Sequence, residues 1–336
     1  MAVFRVSLVL VIAMVGLSWP AAEAAEVSGL YAVEVPLEDG DRDAAFRDAL
    51  GRVLVRVTGR RDAASAPGVA PLLDAASSYV QQFRNPTSET LWVSFDGRAL
   101  EQALIELGQP LWGRDRPAVL LWLAADAGGG TRFVVPAEPE TGPEEALKAQ
   151  MEAAAERRGL PLVFPLMDAE DRSRASFAEV WGGFEDAIAE ASARYGPEAV
   201  LVGRVSAGDP ARGRWVLYTP DGTERWVAGP AESVDRVADQ FANRLAVVSS
   251  GSGSVVEVQV RGVTSVEDYG RVVSFLEGLT AVQAMDLDRL EGSTLFFRAS
   301  LHGDRSAFDQ AVRLGGVLRP ADRDPGQGGL VYRLAP

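Results

Sequence analysis

Ala118-Val119-Leu120-Leu121-Trp122-Leu123-Ala124, opened by Pro117, is a continuous apolar run, and the fold class turns on it. A strand that covers one face alternates polar with apolar residues. A run without polar residues needs cover on both faces, as the central strands of a layered α/β sheet do. Ala199–Val205 repeats that texture further along. Between the two, Thr131–Val135 reads as a neighbouring strand reached through a flexible hairpin tip at Gly128-Gly129-Gly130. Thr141-Gly142-Pro143-Glu144 is a capping box with Pro in the first turn, opening a helix that Gly159 ends. Leu160–Leu166 is a short apolar strand segment, and Ser176-Phe177-Ala178-Glu179 opens a second helix running to about Tyr195. Trp215–Thr219 and Thr223–Val227 flank the turn Pro220-Asp221-Gly222, and a helix over Ser233–Val248 carries Val234, Val237, Phe241 and Leu245 on one stripe. Residues 117–248 therefore read as a middle α/β layer domain.

Working outward, residues 25–116 read as a smaller N-terminal α/β domain. Leu30–Val35 alternates as a half-buried strand, and Arg42–Val57 is a helix with Phe46, Ala49, Leu50, Val53 and Val57 on one face. A shorter helical stretch near Leu72–Phe83, a strand at Leu91–Phe95 and a helix at Arg98–Leu107 follow, the last stopped by Gly108 and Pro110. On the other side, Ser-Ser-Gly-Ser-Gly-Ser at 249–254 is a linker. Residues 255–336 then read β-α-β-β-α-β. Their strands begin at Val256, Val282, Leu295 and Val317, and the helices are opened by Ser265 and Asp304, which is the ferredoxin-like order. That order predicts no activity.

Residues 1–24 have the pattern of a cleaved secretory signal. Arg5 supplies a basic start, Val6–Trp19 is an uncharged apolar run, and Ala22-Glu23-Ala24 places small residues where a signal peptidase reads. The expected address is the periplasm, with cleavage after Ala24 and no integral membrane segment beyond it. There is no Cys to carry a lipid or form a disulfide, so stability rests on packing. A net charge of −14 argues against nucleic acid and anionic lipid as partners. Lys148 is the single lysine, a bias that a GC-rich genome explains.

Several phrases together carry a family resemblance: Val53-Leu54-Val55-Arg56-Val57-Thr58-Gly59-Arg60-Arg61-Asp62, Tyr79-Val80-Gln81-Gln82-Phe83-Arg84, Pro110-Leu111-Trp112-Gly113 before Arg116-Pro117, and Arg158-Gly159-Leu160-Pro161-Leu162. The chain resembles domain-of-unknown-function family 2066, exported proteins of proteobacteria. The resemblance implies a cell-envelope protein of uncharacterised role and carries over no catalytic residue.

The residues give little sign of catalysis. His302, the only His, ends a strand with no Gly-x-Ser-x-Gly elbow nearby and reads as a turn residue. One His and no Cys leave no zinc-type ligand set, and no cofactor is expected. Asp39-Gly40-Asp41-Arg42-Asp43 imitates a calcium loop, but Ala44 stands where Gly is required and Leu50 where Glu is required. Asp168, Glu170 and Asp171 read as a solvated acidic loop, and Lys148 as a surface ion-pair partner of its glutamate neighbours.

The candidate binding set is Arg60, Arg61, Trp92 and Trp112, with Arg114 and Arg116 beside the last. Arg and Trp are the types most enriched at interface hot spots, and these lie at the ends of predicted elements. The expectation is a non-enzymatic envelope adaptor or binding protein with a protein partner. Two alternatives stand beside it: an envelope glycan hydrolase using paired carboxylates, and a small-ligand or glycan-binding module with Trp92 and Trp112 lining a groove.

Overall fold

A computed structural model describes residues 25–26, 29–248, 255–302, 305–321 and 329–335. The segment read as an export signal and the 249–254 linker lie outside the described residues. Among the described residues the chain is a mixed α/β protein with ten α-helices and three principal sheets, of six, five and three strands.

The three-stranded sheet has the spatial order Ala32–Pro36, Thr90–Phe95, Val80–Arg84, antiparallel throughout. Val33, Val35, Leu91, Val93 and Phe95 alternate onto one face and meet the apolar stripe of helix Arg42–Thr58. The Asp41 carboxylate caps that helix by accepting from the Ala44 N–H at 3.0 Å, and Gly59 ends it with φ 70°. The stretch expected as one helix near 72–83 is divided. Only Ala70–Asp74 is α-helical, Ala76–Tyr79 is a 3-10 turn, and Val80–Arg84 is an edge strand. Thr90–Phe95 offers a second ladder there, and pairing outweighs the weak helix propensity of Tyr79, Val80 and Phe83.

In the six-stranded sheet, Val119–Gly128 runs parallel to Ala199–Ser206, followed outward by Gly213–Thr219 and Gly222–Ala228. Thr131–Val134 and Leu162–Val163 pair along the other side of Val119–Gly128. Both faces of the central run are covered, as its apolar texture requires. Val119, Leu121 and Leu123 pack on helices Gly142–Arg158 and Pro230–Leu245. Leu120, Trp122 and Ala124 pack on Val180, Ile188 and Ala191 of the other layer. The buried Trp122 indole donates to Ser192 Oγ at 2.9 Å.

Three boundaries in this unit differ from expectation. The helix expected from Ser176 to about Tyr195 breaks into Phe177–Gly182 and Glu185–Ser192, because Gly183 turns left-handed with φ 71°. The strand expected over 160–166 shrinks to Leu162–Val163, between Pro161 and Pro165. The helix expected over 233–248 spans Pro230–Leu245 instead, and Val247–Val248 forms a ladder with Pro110–Leu111.

The five-stranded sheet has the order Val282–Glu291, Thr294–Leu301, Val255–Arg261, Leu330–Leu334, Leu318–Pro320. Helices Val266–Gly278 and Arg305–Leu314 bring Val272, Leu276, Phe308 and Val312 onto Val258, Val260, Phe297 and Leu301. The strand expected to be fourth, beginning at Val317, lies at the outer edge as Leu318–Pro320. Its expected place beside Val255–Arg261 is taken by Leu330–Leu334, which runs parallel to that strand. Leu330, Val331 and Tyr332 are all buried, and this apolar triplet is what draws the terminal segment into the sheet. No helix among the described residues is long and apolar enough to cross a membrane.

Candidate functional site

Three arginines are buried where the N-terminal and middle units meet. Helix Arg42–Thr58 supplies Arg56, helix Gly142–Arg158 supplies Arg158, and the connection after Pro110–Leu111 supplies Arg116. Arg116 is fully buried and has no carboxylate partner among the described residues. Its Nε donates to Gly113 O at 2.8 Å. Nη1 donates to Arg158 O at 3.1 Å and Gly159 O at 2.7 Å, and Nη2 to Arg56 O at 2.8 Å and Trp112 O at 2.9 Å. All five guanidinium donors are used. Three meet carbonyls at the C-terminal ends of two helices, where the peptide dipoles favour a cation, and two meet the loop carbonyls of Trp112 and Gly113. Burial pushes the Arg116 guanidinium down to about 9; Tyr31 opposes that shift, and the charges of Arg56 and Arg158 add to it. The group is therefore charged at neutral pH.

Arg158 donates to Gly59 O at 2.8 Å and pairs with Asp235 at 3.0 Å and Asp239 at 2.6 Å on helix Pro230–Leu245. Arg56 donates to Ala32 O at 2.7 Å and pairs with Glu156 at 3.2 Å. This cluster fixes two units against each other, and its Nη donors face protein carbonyls and carboxylates. The buried Nε groups of Arg56 and Arg158 have no hydrogen-bond partner among the described residues.

The four candidate residues fall in two places. Trp112 is buried in this junction, 2% exposed, with the Arg116 guanidinium 4.0 Å from its ring centroid. Arg61 is exposed and reaches Asp239 at 2.7 Å, so it flanks the same junction. Arg60 is exposed and forks onto Asp62 at 3.0 and 2.8 Å. Trp92 lies apart from the other three, on the face of the three-stranded sheet away from helix Arg42–Thr58. The register places Glu34, Trp92 and Arg84 in one row across the strands, and the Arg84 guanidinium stands 4.7 Å from the Trp92 ring. Trp92 is half-buried, whereas Glu34, Gln82 and Arg84 are exposed. At the rim of the opposite face, Phe83 is 47% exposed and meets Phe46 edge-to-face at 5.6 Å.

A second feature lies between the N-terminal and C-terminal units. Arg98, Glu101 and Ile105 share one face of helix Gly97–Glu106, and Ser274 and Glu277 come from the end of helix Val266–Gly278. With Arg114, Asp115 and His302, they line a cleft of about 410 Å³. The Tyr31 hydroxyl donates to Glu101, and Arg114 lies 5.3 Å from the Tyr31 ring. Burial, helped by Glu101, pushes the Tyr31 phenol well above its ordinary range. Desolvation holds His302 below its ordinary value, against the opposing pull of Glu101. The units approach closely here, and a Cβ on Gly113 would lie 2.7 Å from Thr280 Oγ1. Sequence reasoning missed the cleft because its walls are distant along the chain. The one local trace is the spacing of Arg98, Glu101 and Ile105 on a helix face.

The acidic cluster also departs from expectation. Asp168 caps helix Ala169–Arg174 by accepting from the Asp171 N–H at 3.0 Å, whereas Asp171 is fully buried. Asp171 accepts from Tyr195 at 2.5 Å and Met167 N–H at 2.9 Å, and pairs with Arg194 at 3.3 Å. It anchors a loop instead of lining one. Lys148 pairs with Glu152 at 3.0 Å.

Comparison with known proteins corrects the family resemblance. The family model that matches is a domain of unknown function (DUF8605), over residues 24–113, and not family 2066. No curated protein matches the chain. Among solved structures, Cryptosporidium parvum prolyl-tRNA synthetase complexed with L-proline and AMP is 13% identical, covering 63% of this chain and 47% of that one, with a TM-score of 0.23. Giardia lamblia prolyl-tRNA synthetase in complex with prolyl-adenylate is 10% identical, covering 63% and 48%, with a TM-score of 0.19. The chain spans about half the length of these enzymes. Scores this low establish neither a shared fold nor a shared activity.

Proposed function

We propose that the protein is a non-enzymatic adaptor of the bacterial cell envelope, exported to the periplasm, that engages a protein partner through its N-terminal domain. In this reading residues 25–116 are the recognition domain, residues 117–248 a middle α/β layer domain, and residues 255–336 a ferredoxin-like domain extended by one strand. The export signal read in residues 1–24 supports the address.

The observation that supports the recognition role is the position of Trp92. A three-stranded sheet with its helix on one face leaves Trp92 on the other, stacked by Arg84 and flanked by Glu34. A rigid aromatic anchor with a charged rim on a flat surface is the composition of an interface hot spot. The adjacent Val80–Arg84 is an edge strand, so its outer backbone groups are also open to an extended partner segment. Affinity capture from an envelope fraction tests the reading: a partner held by the native protein is lost by Trp92→Ala and kept by Arg61→Ala.

A further inference from the structure

We infer that the cleft between the N-terminal and C-terminal units is a binding site for a small zwitterionic ligand, an amino acid or short peptide whose carboxylate meets Arg98 and Arg114 and whose ammonium meets Glu277. The site is separate from the Trp92 face and does not depend on the adaptor reading.

Both signs of charge share the walls of one cavity. Arg98 and Arg114 make no ion pair among the described residues, although Glu101 and Glu277 line the same space. Arg114 instead lies 5.3 Å from the Tyr31 ring, beside the phenol that holds Glu101. Glu101 is held by the Tyr31 hydroxyl, and Glu277 has no hydrogen bond or ion pair among the described residues. Two guanidinium groups near one cavity suit a planar carboxylate, which accepts paired N–H donors. A carboxylate on the facing helix suits an ammonium.

The size and the remaining lining agree with this class. A cleft of about 410 Å³ falls within the roughly 300–1,000 Å³ of small-molecule sites. Ile105, Phe275, Leu279 and Val282 give apolar wall for a side chain, and the Ser274 and Thr280 hydroxyls can serve a peptide group. Because one unit supplies the guanidinium groups and the other Glu277, a zwitterion bridges them.

Calorimetric titration of the full chain with a mixed panel of unblocked dipeptides tests this, beside the same panel N-acetylated and the same panel C-amidated. The expected result is saturable binding of the unblocked panel, weakened about tenfold or more by either block. Arg98→Ala is expected to remove the discrimination against C-amidation, and Glu277→Gln the discrimination against N-acetylation. Both positions are exposed, and thermal melts of the variants confirm that they fold. Trp92→Ala is expected to leave dipeptide binding unchanged, which keeps this result apart from the adaptor test. Absence of binding by the unblocked panel overturns the assignment. So does equal binding of blocked and unblocked panels, or discrimination against both blocks that survives in both variants. Saturation by inorganic phosphate alone also overturns it, since that marks an anion site without the ammonium requirement.

Discussion

Arg116 and Gly159 are fitted to each other: the Gly159 carbonyl accepts from Arg116 Nη1 at 2.7 Å, and a Cβ on Gly159 would lie 2.5 Å from that same nitrogen. Gly159 also has φ 62°, a conformation L side chains adopt at a cost. The Gly159→Ala protein is therefore expected to lose about 2 kcal/mol of stability through strain and displacement of a buried cation. Arg116→Lys offers three donors to five carbonyls and is expected to cost a similar ~2 kcal/mol. Urea denaturation midpoints check both; wild-type stability in either variant contradicts the packing described at this junction.

The two carboxylate oxygens of Asp239 face unequal partners. One meets the buried Arg158 at 2.6 Å, the other the exposed Arg61 at 2.7 Å. Asp239→Ala leaves the buried Arg158 with one of its two counter-ions, Asp235, and is expected to cost about 3 kcal/mol. Arg61→Ala removes a solvent-screened pair and is expected to change stability by less than about 0.5 kcal/mol. Denaturation of the two single variants and the double variant measures the asymmetry.

Glu198 sets a pH dependence. It accepts from the Ala118 N–H at 3.1 Å in a half-buried position at the start of Ala199–Ser206. Burial pushes its carboxyl up to about 7, the Ala118 N–H pulls the other way, and Asp115 adds to the rise. The folded state thus holds the proton more tightly than the unfolded state. The stabilisation is complete below about 4.5 and is lost as the pH rises through about 7. Glu198→Gln is expected to flatten that dependence and to stabilise the protein at pH 8 by ~1 kcal/mol, a value reduced for the solvent that still reaches the group. Melting temperatures across this range give the answer, and parallel curves for the two proteins contradict it.

Trp92 is a surface residue in energetic terms. Trp92→Ala removes its stack with Arg84 and part of a half-buried ring, so a loss of about 1 kcal/mol is expected. Circular dichroism melts check that any loss of partner binding does not reflect unfolding.

What was legible in the sequence was local. The apolar runs Ala118–Ala124 and Ala199–Val205 fall on the strands Val119–Gly128 and Ala199–Ser206 in the middle of a covered sheet, and the Thr141, Ser176 and Ser265 caps sit where helices begin. What was not legible depended on distant partners. Val80–Arg84 is a strand because Thr90–Phe95 pairs with it, and Leu330–Leu334 enters the sheet because Val255–Arg261 had an open side. Gly183 broke an expected helix by its left-handed turn, which composition alone does not announce. Of the candidate residues, Trp112 and Trp92 looked equivalent as indoles near element ends. Only the packing separates the one buried against Arg116 from the one on an open sheet face. The cleft walls, from Arg98 to His302, have no sequence signature beyond one helix spacing.

The central claim is that the Trp92 face receives a protein partner, and site-specific photo-crosslinking tests it most directly. A photo-reactive amino acid is placed at Gln82, at Arg84, and at Arg212 on the middle unit as a control, and the full chain is expressed in bacterial cells. The account predicts one and the same protein crosslinked from positions 82 and 84, absent from position 212, and lost when Trp92→Ala is added. No adduct at 82 and 84, identical labelling from all three positions, or adducts that survive Trp92→Ala would contradict it.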